Sequence, residues 1–310
     1  MKTLLQHQKS RRIFLLLIAV LLIAIFLLRS FVLINFHAQT LNGVTTEEPM
    51  WHALATRLLD SIFVSLFVTV FIGIFMFYIE VPDEDKKFDI VESLRLGELF
   101  DRSLSQTDSW HFSGGMGRHT RAKTIPYFHK GSKSSNQQKT IKIQLIDPAD
   151  VELCQTYANY RKSLRSAQGS EHAWTANFVR RELLTTIIIA VVYRSMNQLL
   201  DIEVRLKNSF STLRIDMSSS VAIITKEDKN EPAIVCRDGS FLYKAYKEEL
   251  VQSYKSQQPL KLSNFDLDIS SLSETTVERI LIDLNLNNGL SSTDYKAICK
   301  TIKDNKNPYA

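Results

Sequence analysis

The sequence predicts an α/β protein: an N-terminal transmembrane helical hairpin, a cytoplasmic three-layer α/β domain, and a small C-terminal helical appendage. Three observations predict it. Two long apolar runs, Ile13 to Ile34 and Leu58 to Ile79, lie near the N-terminus and are joined by a short loop. Beyond them, period-two segments alternate with helical ones, the pattern of a sheet covered by helices. From residue 259 onward there are two helical segments. The expected boundaries are 1–84 for the hairpin, 85–107 for a linker or amphipathic segment, 108–258 for the α/β domain and 259–310 for the appendage.

Each apolar run is 22 residues long. As a helix that is roughly 33 Å, enough to cross a hydrocarbon core of about 30 Å. The first run is broken only by Arg29 and Ser30, and the second carries one charge, Asp60. A cleaved signal peptide would have an apolar stretch of about 7–15 residues and a small-residue cleavage site. Here Phe31, Val32, Leu33 and Ile34 follow instead, which favours an uncleaved span. Lys2, Lys9, Arg11 and Arg12 precede the first run, and Lys86, Lys87 and Arg95 follow the second. The connecting loop has only Arg57, so the positive-inside rule places both termini in the cytoplasm. Trp51 and His52 suit an interfacial anchor in that loop.

The second run has an internal pattern. Ser61, Ser65, Thr69 and Gly73 recur every four residues, and Phe63, Phe67, Phe71 and Phe75 occupy the opposite face. Small faces let helices approach closely in lipid. The face serves either packing against the first span or self-association between chains.

The soluble part has an ordinary globular balance within a chain of net charge +5 and 45% hydrophobic residues. Cys154, Cys236 and Cys299 are far apart with no CxxC pair, so neither disulfides nor structural zinc are expected. The histidines do not cluster at metal-ligand spacing, and no cofactor is expected. In chain order, Asp85 to Ser105 reads as amphipathic, with Ile90, Leu94, Leu99 and Phe100 among acids. Trp110 to Phe112 reads as a short strand entering the turn Ser113-Gly114-Gly115-Met116-Gly117. Arg118 to Lys130 reads as a helix that Pro126 bends or ends. Thr140 to Ile146 alternates strictly and ends at Asp147-Pro148, and Asp150 to Ser166 is helical. Trp174 to Lys207 reads as one long helix. Its apolar centre, Leu183 to Tyr193, is too short to span, so it is a core helix. Strands are expected at Thr212 to Asp216, Val221 to Lys226 and Ala233 to Arg237, then a turn and a helix from Phe241 to Ser256. Ser273 N-caps a helix to Leu286, stopped by Asn287-Asn288-Gly289, and Ser292 to Lys303 is another. Helix–turn–helix geometry is open to these two, but the second has few basic residues.

The strongest local candidate for chemistry is Phe112 to Lys123. Gly114, Gly115 and Gly117 lie between a strand and a helix start, where exposed N–H groups attract anions. Arg118, His119, Arg121 and Lys123 add positive charge. Asp147 ends a strand, where open α/β sheets place ligand groups. A phosphate-bearing ligand fits this set, and a tight turn beside a solvated basic face is the alternative. The motif is neither a P-loop nor GxGxxG. Ser219, His119 and Asp147 supply the residue types of a nucleophile–base–acid set, but no GxSxG or HExxH accompanies them. No catalytic residues are assigned.

The strand–SGG–helix–strand–IDP order over residues 108–255 resembles one half of a phospholipase D-like fold. That family's HxKxxxxD motif is missing: His119 to Lys123 and His129-Lys130 both lack its spacing. The resemblance therefore implies a sensor or binding platform. The whole-chain plan is similar to two-transmembrane effectors of bacterial anti-phage systems, including retrons. That similarity implies an inner-membrane protein of two spans that damages the membrane on activation. It also implies a reverse transcriptase and its DNA–RNA product as partners that keep the effector silent, besides the lipid bilayer and self-association. A membrane-tethered phospholipase D-like or nucleotide-processing enzyme, and a non-toxic scaffold, are the alternatives.

Overall fold

In the computed structural model the described residues are 20–28, 30–31, 50–79, 87–167, 173–228, 230–265, 267–305 and 307. They belong to two compact units, Met1–Asp85 and Lys86–Ala310.

In the first unit, residues 20–28 and 30–31 are helical, and α1 runs Met50–Ile79. Helix α1 starts at Met50, earlier than the expected Leu58. Within it, Ala53–Ile72 is long and apolar enough to cross a membrane, and none of it is buried. Half of the first apolar run lies outside the described residues. So do Arg29, the N-terminal basic residues and the stretch 80–86, and the side chains of Trp51, His52, Gly73 and Phe75 are likewise not described. Where α1 is described, the pattern read from sequence has physical form. Phe63 and Phe67 stack on one side, with ring centroids 6.5 Å apart. Leu21, from the first helical segment, and Ser61, Ser65, Leu66 and Thr69 line an open groove on the other. Thr69 donates its hydroxyl to the carbonyl of Ser65 at 2.8 Å. This back-bond satisfies the hydroxyl within the helix.

The second unit is built on an eight-stranded mixed sheet. Its strands are β1 Phe88–Val91, β2 Ser109–Ser113, β3 Lys139–Ile146, β4 Leu200–Lys207, β5 Leu213–Met217, β6 Val221–Lys226, β7 Ala233–Arg237 and β8 Gln258–Leu260. The spatial order is β1-β7-β6-β5-β2-β3-β4-β8. Strands β2, β3 and β4 are parallel, and every other pairing is antiparallel. The helices are α2 Leu96–Ser105, α3 Ile125–Ser135, α4 Val151–Ser163, α5 Ala176–Met196, α6 Phe241–Ser256, α7 Glu274–Asp283 and α8 Ser292–Lys303. All but α6 pack on one sheet face in the main core. Helix α6 covers the other face against Met217, Ala222, Ile224 and Cys236. The architecture is thus α/β with helices on both faces.

Several segments differ from the sequence reading. Leu200 to Lys207 is strand β4, not the end of the long helix. Leu200, Ile202, Val204 and Leu206 alternate into the core, while Asp201, Glu203 and Arg205 turn away from it. That period-two signal decides it, because a helix would scatter these residues around its circumference. Helix α5 ends at Met196, and its Leu183-to-Val192 centre is fully buried, as a core helix requires. The segment expected as a linker contains β1 and α2. Leu96, Phe100 and Leu104 of α2 are buried in the main core. Pro126 does not end its helix, which runs to Ser135. A π-turn at Thr120–Thr124 precedes it, with the Ile125 N–H reaching back to the Thr120 carbonyl. Pro126 then sits at the start of the regular α-helix, where its missing N–H costs nothing. Helices α7 and α8, expected as an appendage, share the main core through Val277, Ile280, Leu281, Ile298 and Ile302. Ser273 caps α7 by accepting from the Thr276 N–H, as read from sequence.

Candidate functional site: a glycine turn held by carboxylates and a polar cleft

The glycine turn leaves β2 and enters the helix beneath it. The Gly114 N–H donates to the Gln144 carbonyl at 3.2 Å, and the Gly115 N–H donates to Glu227 Oε1 at 2.9 Å. Gly117 adopts φ +67, a left-handed conformation that favours glycine. Gly115 lies against the Tyr157 ring: a Cβ there would fall 2.1 Å from the Tyr157 hydroxyl oxygen. The turn thus receives a negative group as its composition suggests, but the group is the protein's own. Burial would raise the Glu227 carboxyl, yet Arg161, Arg214, the Gly115 N–H and Tyr157 outweigh it and hold it low.

The basic residues after the turn are also engaged internally. Arg118 Nε and Arg121 Nη2 both donate to Glu182 Oε2, at 2.6 and 2.9 Å. Arg121 is buried and also donates to the Glu182 carbonyl and the Thr186 hydroxyl. Arg118 lies over the Trp174 and Phe178 rings. Burial opposes ionisation of Glu182, but the two guanidinium groups hold its carboxyl below the usual range. His119 is buried with its ring centroid 4.3 Å from that of Phe100. Burial, with Arg214 and Lys123 nearby, pushes its pKa down to about 3, so it is neutral at pH 7. Lys123 pairs with Asp101 at 3.0 Å.

Asp147 stands elsewhere, beyond the carboxyl end of β3, where its Oδ1 accepts from the Ala149 N–H at 2.8 Å. Ser219 is at the β5–β6 turn, hydrogen-bonded to Thr107 and, through its carbonyl, to Tyr243. The Ser219–His119–Asp147 set is therefore not assembled. Thr107 precedes the amino end of β2, and Asp147 follows the carboxyl end of its parallel neighbour β3.

Asp147 instead lines a polar cleft of about 730 Å³ at the carboxyl ends of β2, β3 and β4. Ser113, the last residue of β2, and Lys207, the last residue of β4, line it with Asp147; Tyr246, Glu249 and Ser253 of α6 form a wall. Lys207 is buried and donates to Ser113 Oγ at 3.3 Å. Burial pushes its ammonium pKa down to about 8, against the pull of Glu227. Sequence reading missed Lys207 because β4 was read as helix. The Leu200-to-Lys207 alternation was the signal that would have found it.

The α6 wall rests on a polar seat. Gln144 is fully buried; its Oε1 accepts from Ser253 Oγ at 2.8 Å and Gln257 Nε2 at 2.6 Å. That fixes the amide orientation, so Gln144 Nε2 donates to the Leu250 carbonyl and to His111 Nε2, 2.8 Å away. His111 must then be a neutral Nδ1–H tautomer. Burial, with Lys142 nearby, pushes its pKa down to about 4, in agreement. Tyr254 hydrogen-bonds Glu203, and Arg205 lies over the Tyr254 ring at 4.2 Å.

No protein-family model and no curated protein matches the chain. Among solved structures it is similar to TrmBL2, an archaeal chromatin protein whose structure shows a novel mode of DNA binding. The identity is 12%, the coverage 67% of each chain and the TM-score 0.34, a likeness too low to carry an argument. The reading of function therefore rests on the chain's own residues.

Proposed function

We propose that this protein is a membrane effector of a bacterial anti-phage system, in which the α/β unit controls a two-span hairpin in the inner membrane. The observation that carries the reading is α1, whose 20-residue stretch Ala53–Ile72 is apolar and unburied. A face of Ser61, Ser65 and Thr69 runs along it, a feature that an anchor alone does not require. The α/β unit supports a regulatory role. His119 is buried and neutral, and the basic residues of the turn are engaged by Glu182 and Asp101.

In this reading, Leu21 at the groove of α1 represents a resting hairpin closed on itself. Activation of the α/β unit, by release from a partner such as a reverse transcriptase with its DNA–RNA product, frees that face. Hairpins of neighbouring chains then associate through it and perturb the bilayer. Expression with and without the neighbouring genes, with membrane potential recorded, tests the reading. Depolarisation on expression of the effector alone is expected. An intact potential under every trigger, including phage infection, overturns it and leaves a scaffold.

A further inference from the structure

Among the described residues no carboxylate forms an ion pair with the cation that the carboxyl-end cleft holds, and Glu227 attracts it only from farther away. Lys207 is buried, and its hydrogen-bond acceptor is the neutral Ser113 hydroxyl at 3.3 Å. A buried ammonium has three protons to donate and gains most from an anion. The lowered pKa, about 8, reflects the cost of keeping that charge out of water. The cleft volume, about 730 Å³, falls within the range of about 300–1,000 Å³ typical of small-molecule sites. Among the described residues Lys207 is the one cationic side chain lining the cleft, whereas Asp147 and Glu249 line it with negative charge. One cation suits one phosphate, and two carboxylates repel a longer phosphate chain while accepting hydroxyl donors. Tyr246, with Leu213 and Ile215, supplies flat apolar surface for a ring.

We propose that this cleft binds a ligand of the nucleoside monophosphate class, its phosphate on Lys207 Nζ and Ser113 Oγ and its sugar hydroxyls on Asp147 and Glu249. This deepens the regulatory reading of the α/β unit and rests on it only for the consequence of binding. Binding and membrane damage are measured separately, so either can fail alone.

Calorimetry on the full chain in detergent at pH 7 tests it, with AMP, GMP, CMP and UMP as probes. The corresponding nucleosides and triphosphates, and inorganic phosphate, are the comparison arms. At least one monophosphate is expected to bind tenfold or more tightly than its nucleoside, its triphosphate and free phosphate. Lys207→Met, which keeps the stem and removes the charge, is expected to weaken it at least tenfold. Ser209→Trp is expected to do the same, because Ser209 is an exposed lining residue and the ring fills the cleft without entering the core. No monophosphate binding at millimolar concentration overturns the proposal. So does a triphosphate that binds as tightly, or monophosphate binding unchanged in both variants.

Discussion

Gly115 shows how one residue is specified by its neighbour. Its missing side chain is the space that the Tyr157 ring occupies, with contacts down to 2.1 Å for an added Cβ. Tyr157 is itself fully buried against the Phe210 ring, with centroids 5.3 Å apart, so it has nowhere to retreat. Gly115→Ala is expected to destabilise the fold by about 2 kcal/mol or more, in the overpacking range. Adding Tyr157→Ala should recover part of that loss, and thermal unfolding of the single and double variants measures the coupling. Glu182 is the second such residue. Removing it strands Arg121, buried in the core, and Glu182→Ala is expected to cost about 3–5 kcal/mol in denaturant unfolding. Both residues were visible in the sequence, but nothing local distinguishes Glu182 from a solvated helix acid. Only the fold brings it to Arg118 and Arg121.

At the scale of elements, β4, β2 and the entry to the π-turn carry the unusual titrations. Lys207 closes β4 with a folded pKa of about 8, below its usual value. Below pH 8 the ammonium is charged in both states and its burial weakens the fold. Between pH 8 and the usual lysine value the unfolded chain holds more protons than the fold, so stability relative to a neutral side chain rises. The full difference is on the order of 3 kcal/mol. Lys207→Met should therefore be more stable than the parent below pH 8, with the advantage fading by about pH 10.5. Unfolding free energies of both proteins across that range measure it. Histidines on β2 and at the entry to the π-turn act in the opposite range. His111 and His119 have folded pKa values of about 4 and 3, below the ordinary 6.5. Stability is fully present above pH 6.5 and is lost as pH falls toward those values, because the unfolded chain protonates first. His119→Phe should flatten the pH dependence of Tm between pH 6.5 and 4.5, keeping the aromatic contact with Phe100. The element pattern itself was mostly legible. Turn and cap residues such as Asp147-Pro148 and Ser273 set strand and helix ends close to where they fall. The alternation of β4 was hidden by the apolar helix that precedes it without a glycine or proline break.

At the scale of the whole molecule, the proposal divides labour between a spanning helix and a cytoplasmic unit. The small face on α1 is the part whose alteration separates membrane action from folding. Gly73→Leu places a large side chain on that stripe and is expected to abolish depolarisation on expression, since close helix approach in lipid requires small residues. Retention of the protein in the membrane fraction, with an unchanged α/β unit by circular dichroism, is expected alongside. Depolarisation as strong as that of the parent would show that the stripe serves packing within the chain only.

The sequence alone determined the class of the molecule: a long apolar helix near the N-terminus, an α/β unit after it, the buried centre of α5 and the glycine turn after β2. These follow from local signals, namely length of apolar run, periodicity and turn chemistry, which need no knowledge of distant residues. Tertiary structure decided the sites. Pairing of β4 beside β3 sets Lys207 next to Ser113 and Asp147, residues far apart in the chain. Folding of β6 and α5 against the glycine turn brings Glu227 and Glu182 to the amide and guanidinium groups that the sequence offers to a ligand. Charge and hydrogen-bonding capacity are written residue by residue, but whether a group meets solvent or another part of the chain depends on long-range packing, which turned the glycine turn and its arginines toward the protein's own carboxylates.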